Sequence, residues 1–120
     1  MILYHVILVC KYRHPILSIL GEEVKSIIFN LSRTKDFKVI TLEVNKDHIH
    51  ILINSNLNVT ISSIVKFIKQ VTTNLLWKEF EGYLRNFYWK KKVLWSKGRF
   101  ICTIGNASES TIRNYIRSQS

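Results

Sequence analysis

The 120-residue sequence is 47% hydrophobic and 22% charged, the balance of one globular domain, and it is too short for two independent cores, so a single domain over residues 1–120 is expected. Eighteen Lys and Arg against eight Asp and Glu leave a formal charge of +10 and a pI near 9.9, which points to a polyanionic partner, nucleic acid first. Four Gly, one Pro and no biased tract exclude a collagen-like, linker-dominated or disordered chain.

Residues 2–10 are a nearly continuous run of Ile, Leu and Val, the pattern of a strand covered on both faces. Tyr4 and His5 interrupt this apolar start, and Lys11, Tyr12 and Arg13 follow at once. It is shorter than the roughly 20 apolar residues of a bilayer span and lacks the basic leader of a secretion signal, so a soluble cytoplasmic protein with no membrane partner is expected. Residues 21–34 set Val24, Ile27, Ile28 and Leu31 at helical spacing, with Glu22 and Glu23 in the first turn, where the helix dipole favours anions. Residues 38–45 then alternate, with Val39, Thr41, Glu43 and Asn45 on one face against Ile40, Leu42 and Val44 on the other. Lys46 and Asp47 turn the chain into a partner strand over 48–54.

Asn58 reads as the N-cap of a long helix reaching about Phe80, with Ile61, Ile64, Val65, Ile68, Val71 and Leu75 as its apolar stripe and Lys66, Lys69 and Lys78 off it. Residues 82–97 are irregular, and 99–104 form another strand that Gly105 ends. Asn106 with Glu109 three residues on has the pattern of a capping box, and Ile112, Tyr115, Ile116 and Gln119 share one face of a last helix. The order predicts an α+β fold: the split βαβ, ferredoxin-like or RRM-like antiparallel sheet, with helices on one face and an added C-terminal helix carrying Tyr115. Cys10 and Cys102 are isolated, make neither a disulfide framework nor a zinc knuckle, and are expected as small buried apolar residues.

The sharpest local signal is Asp47-His48-Ile49-His50-Ile51-Leu52-Ile53. On a strand His48 and His50 project from one face while Ile49, Ile51 and Ile53 project from the other. Such a pair can hold one metal ion from a rigid backbone, or it can be two half-buried histidines on a polar face. Two imidazoles are too few for a structural zinc site. Gln119 is a candidate third ligand, because mixed imidazole and oxygen ligation with free positions accepts Mg²⁺ or Mn²⁺ together with phosphate oxygens. Gln119 stands four residues after Tyr115, a helical spacing that stacks the two side chains. A phenol with a solution pKa of about 10 needs a cation or a base to become a nucleophile; without one, Tyr115 is an ordinary packing residue beside Ile112 and Ile116.

From Arg85 to Arg99 there are six basic residues and no acidic one, interleaved with Phe87, Tyr88, Trp89 and Trp95. Cations neutralise phosphates while aromatic faces stack on unpaired bases, which suits single strands or hairpin loops; the other reading is a solvated loop whose aromatics cover the core. Arg13, Lys91, Lys92 and Arg99 are the candidate DNA-contacting residues, by charge and position.

Taken together, Tyr4-His5, Lys11-Tyr12-Arg13, Asp47-His48-Ile49-His50-Ile51-Leu52, Leu94-Trp95-Ser96 and Thr111-Ile112-Arg113-Asn114-Tyr115-Ile116 with Gln119 span nearly the whole chain. In order and spacing they resemble the single-tyrosine HUH transposases of the IS200/IS605 insertion-sequence family. The resemblance implies an enzyme that cuts and rejoins single-stranded DNA at the ends of its own mobile element. It implies His48, His50 and Gln119 as ligands of a divalent ion, Mg²⁺ or Mn²⁺, and Tyr115 as the nucleophile that takes a 5′-phosphotyrosine and releases a free 3′-OH. It also implies a homodimer that recognises subterminal DNA hairpins, with the tyrosine helix able to complete the partner's site in trans.

The rival from another class is a non-catalytic RRM-like RNA- or single-strand-binding module. Lys97-Gly98 begins like the RNP1 octamer, but Arg99-Phe100-Ile101-Cys102 does not continue its aromatic pattern, and His48, His50, Tyr115 and Gln119 are left without a joint role. A histidine-triad nucleotide hydrolase fails at Leu52, where a third alternating His should stand. A domesticated relative keeping the same single-strand nuclease chemistry fits these residues equally well.

Overall fold

Alternation along the first strand decides which way the sheet faces. In β1 (Ile2–Val9), Tyr4, Val6 and Leu8 point into the buried layer, and Leu3, His5, Ile7 and Val9 point to the opposite side. The computed structural model describes residues 2–55 and 59–104. β1 lies between β3 (His48–Ser55) and β4 (Phe100–Thr103), and β2 (Phe37–Val44) pairs with the far edge of β3. The order is β2-β3-β1-β4, with every pair antiparallel. Two helices, α1 (Leu17–Thr34) and α2 (Ile61–Leu84), cover one face; Leu20, Val24 and Ile28 from α1 and Ile64, Val65 and Ile68 from α2 share a core with the sheet. This is the expected α+β, ferredoxin-like arrangement. The expected last helix, from Asn106 to Gln119, lies outside the described residues, as do Gly105 and Asn58. No helix among the described residues is long and apolar enough to cross a membrane.

Several local expectations are corrected. α1 starts at Leu17 rather than residue 21, because Ile16, Leu17 and Leu20 are buried and extend the apolar face by a turn; Glu22 and Glu23 therefore stand beyond the first turn. The Leu17 N–H, one of the donors that helix geometry leaves free, donates to the carbonyl of Lys46 at 3.0 Å. Gly21 permits the close approach of α1 to β2, since a Cβ there would lie 2.9 Å from Val44 Cγ1. In β2 the pairing jumps from Val39 opposite Ile53 to Thr41 opposite Leu52, so Ile40 is a bulge. The bulge turns Val39 into the core with Leu42 instead of leaving it beside Thr41 and Glu43.

The cap of α2 is Thr60, whose hydroxyl accepts the Ser63 N–H at 3.2 Å, and the helix continues past a non-helical Phe80 to Leu84. Its buried stripe runs through Ile64, Val65, Ile68, Thr72 and Leu76, and the expected Leu75 is 43% exposed. Thr72 can take a core position because its hydroxyl donates to the Ile68 carbonyl at 2.7 Å and accepts from the Trp95 indole at 2.8 Å. The segment after α2 is irregular, as expected, but firmly docked: Trp77 Nε1 donates to the Val93 carbonyl and Trp95 bridges Cys10. Cys10 is buried, whereas Cys102 is partly exposed.

Candidate active site

Ile49, Ile51 and Ile53 anchor β3 in the core, and this forces His48 and His50 onto the other face, with ring centroids 5.0 Å apart. The hairpin before them is closed by the Asn45 N–H donating to the His48 carbonyl at 2.9 Å and by the Cys10 N–H donating to the Asp47 carbonyl at 2.8 Å. Asp47 is itself buried. Its Oδ1 lies 2.7 Å from His48 Nδ1, and its Oδ2 accepts from Arg13 Nε at 3.2 Å. The bond to His48 foremost, assisted by the Arg13 charge and opposed by burial, holds the Asp47 carboxyl below its ordinary 3.8. An ionised carboxylate can only accept, so His48 Nδ1 donates to Asp47, and the other ring nitrogen, Nε2, lies 3.2 Å from Asn45 Nδ2.

His50 is 2% exposed and His5 1% exposed, on the neighbouring strand. His5 Nε2 and His50 Nδ1 are 3.0 Å apart, and the two rings stack at 5.2 Å. Burial foremost, then the neighbouring imidazoles, holds both below the ordinary 6.5, so both are neutral at pH 7. The His50 Nε2 is buried and has no hydrogen-bond partner among the described residues. Two imidazoles side by side on one strand face, one with an unspent buried nitrogen and the other held through Nδ1 by a carboxylate, match the donor chemistry of a divalent-cation site. No group of three His, Cys, Asp or Glu side chains among the described residues forms a complete ligand set. Gln119 and Tyr115, the expected third ligand and nucleophile, lie outside the described residues.

The four expected DNA contacts separate. Arg13 is bonded to Asp47 and so belongs to the support of His48. Lys91 lines an aromatic cavity beside Tyr12 and Trp89. Lys92 and Arg99 line a basic groove with Lys66, Lys69 and Lys97; Arg99 Nη2 donates to Ser62 Oγ at 2.8 Å, and Lys69 Nζ donates to the Ser96 carbonyl at 2.9 Å. His5 and Asp47 were not expected as site residues. Asp47 was recoverable from its place directly before the first histidine, whereas His5 meets His50 only through the register of β1 on β3, which pairs His5 with Leu52 and Ile7 with His50.

Residues 1–119 match the family model described as transposase, IS200 like. The chain belongs to the IS200-like transposase family. This transposase is 29% identical over 117 residues to the ISDra2 transposase TnpA of Deinococcus radiodurans, covering 97% of this chain and 82% of that relative. It is also 29% identical over 119 residues to the transposase for insertion sequence element IS200 of Salmonella typhimurium, covering 97% and 75%. Among solved structures, a candidate transposase of D. radiodurans superposes with a TM-score of 0.76 at 25% identity, covering 98% of this chain and 89% of that one. A REP-associated tyrosine transposase bound to a REP hairpin shares the fold with a TM-score of 0.66 at 16% identity, covering 95% and 61%.

Proposed function

We propose that this IS200-like transposase cuts and rejoins single-stranded DNA at the ends of its own element, with Tyr115 as nucleophile and with His48, His50 and Gln119 holding Mg²⁺ or Mn²⁺. The observation that supports this reading best is the buried His50 Nε2, partnerless among the described residues, beside a His48 held through Nδ1 by Asp47. When bound, the cation supplies Lewis-acid polarisation of the scissile phosphate. His48 and His50 offer imidazole nitrogens from one face of a rigid strand, and Gln119 adds an amide oxygen.

Tyr115 Oη attacks the scissile phosphorus after losing its proton. The bond from phosphorus to the 3′ oxygen breaks, that oxygen takes up a proton and leaves as a free 3′-OH, and a 5′-phosphotyrosine remains. A second 3′-OH then attacks the same phosphorus and expels the phenolate, which completes strand transfer without ATP because each bond broken is replaced by one of similar energy. The net charge of +10 and the basic segment from Arg85 to Arg99 favour a DNA substrate, and the related fold bound to a REP hairpin motivates hairpins near the element ends as the recognised form. A homodimer in which the Tyr115 helix completes the partner's site belongs to the same reading.

The test is cleavage of a single-stranded oligonucleotide carrying the element end, with Mg²⁺ or Mn²⁺ and with chelator. Cleavage that requires the ion, and that is lost in His48→Ala and His50→Ala while hairpin binding is largely kept, is the expected result. Equal cleavage with chelator present overturns the metal role.

A further inference from the structure

A separate cavity of about 630 Å³ lies beside the turn that follows β1, lined by the rings of Tyr12, His14, Phe87, Tyr88 and Trp89 together with Lys91 and other lysines, and no acidic residue borders it among the described residues. That volume is in the range of small-ligand sites. Its wall is built: the Tyr88 hydroxyl donates to the Lys11 carbonyl at 3.0 Å, and the His14 ring lies 5.2 Å from Phe87, 5.3 Å from Tyr88 and 5.9 Å from Tyr12. Two of the rings are held out to solvent, Tyr12 at 73% and Trp89 at 69% exposure. Burying either ring would be favourable, so their exposure marks a contact surface.

The backbone points the same way. Tyr12 and Arg13 are consecutive non-glycine residues in the left-handed region, with φ of 59° and 54°. Such positions are strained and persist only where the surroundings hold them. Here Arg13 is held by Asp47 at 3.2 Å, and the adjacent Lys11 by Tyr88, and the result is a Tyr12 ring on the cavity. One strained turn thus joins the support of His48 to the aromatic cavity.

We infer that this cavity takes an unpaired nucleobase of a DNA strand, stacked on the exposed rings of Tyr12 and Trp89, with the flanking phosphates neutralised by Lys91 and its neighbouring lysines. The inference rests on the DNA-processing reading above and names a strand-recognition site within it. Stacking needs a free base face, which an unpaired strand offers and the interior of a duplex does not.

The test uses the full chain in chelator, where no cleavage is expected, with dT12 and a blunt 12-base-pair duplex as probes. Trp77 and Trp95 are buried, so fluorescence quenching reports mainly on Trp89. Quenching by dT12 and little by the duplex is expected. Tyr12→Ala and Trp89→Ala, measured by anisotropy of labelled dT12, should each weaken binding on the order of tenfold while duplex affinity stays within about twofold. Both side chains are exposed, and melting curves matching wild type exclude misfolding as the cause. Unchanged dT12 affinity in both variants, equal quenching by the duplex, or no dT12 binding by wild type overturns the inference. Wild-type protein that cleaves in Mg²⁺ while the variants bind dT12 normally leaves the transposase reading standing and removes the cavity. Wild-type protein that never cleaves, with dT12 binding lost in the variants, does the reverse.

Discussion

The Oδ1 of Asp47 lies 2.7 Å from Nδ1 of His48, so the residue directly before the first histidine engages one ring nitrogen and turns the other, Nε2, toward Asn45 Nδ2 at 3.2 Å. A carboxylate behind an imidazole sets the tautomer, restrains the ring and raises the basicity of the other nitrogen. The same carboxylate takes Arg13 through its second oxygen, which ties the strained turn after β1 to the histidine strand. His50 is supported differently, by the His5 imidazole across the β1 and β3 pairing.

Asp47→Asn keeps the shape of the side chain and removes the charge. Metal affinity, read by calorimetric titration with Mn²⁺, should fall about 10- to 100-fold, with the fold intact by circular dichroism. Wild-type affinity in this variant would show that Asp47 does not orient His48.

His5→Ala leaves His50 Nδ1 without its partner in a dry site. A loss of about 1–3 kcal/mol in urea unfolding is expected, together with weaker Mn²⁺ binding, because the ring is freed to rotate. His5→Asn, which restores an amide acceptor, should recover part of both. Stability equal to wild type in His5→Ala would count against the pairing.

Burial foremost, then the Asp47 carboxylate, pushes the Cys10 thiol from 9.0 up to about 12. In the unfolded chain this thiol releases its proton near pH 9 and in the native chain only near pH 12, so its contribution to stability is intact below 9 and is lost as pH rises between these values. At pH 8.5 iodoacetamide should modify the partly exposed Cys102 and spare the buried Cys10 until urea is added. Intact mass showing two adducts formed at one rate in native protein would contradict this.

Thr72→Val keeps the volume of the side chain but leaves the buried Trp95 indole N–H without its acceptor. Destabilisation of about 1–3 kcal/mol is expected from thermal or urea melts. A neutral result would mean that Trp95 finds another acceptor.

Element types and sheet order were legible because periodicity reports which side of an element is buried: the alternation of His48, His50 and the three isoleucines fixed both the strand and the face on which the imidazoles stand. What the pattern missed was set by tertiary contacts. The Ile40 bulge is a property of the pairing of β2 with β3, and it swaps the face of Val39 without any mark in the residue types. Leu75 was favoured over Thr72 as core because composition cannot show that the Trp95 indole and the Ile68 carbonyl satisfy a buried hydroxyl. The start of α1 was lost for a related reason: the Leu17 N–H is satisfied by the Lys46 carbonyl and not by a capping side chain. In the site, the two histidines are readable and Asp47 is recoverable from its place directly before His48, but the support that His5 gives His50 is not, since it depends on the register of β1 on β3.

Covalent capture tests the proposed chemistry most directly. Wild-type protein is incubated with single-stranded element-end DNA and Mg²⁺ or Mn²⁺, and the denatured mixture is resolved beside Tyr115→Phe. A DNA adduct mapped by mass spectrometry to Tyr115, absent from Tyr115→Phe and absent in chelator, is the expected result. An adduct formed at wild-type level by Tyr115→Phe would contradict it.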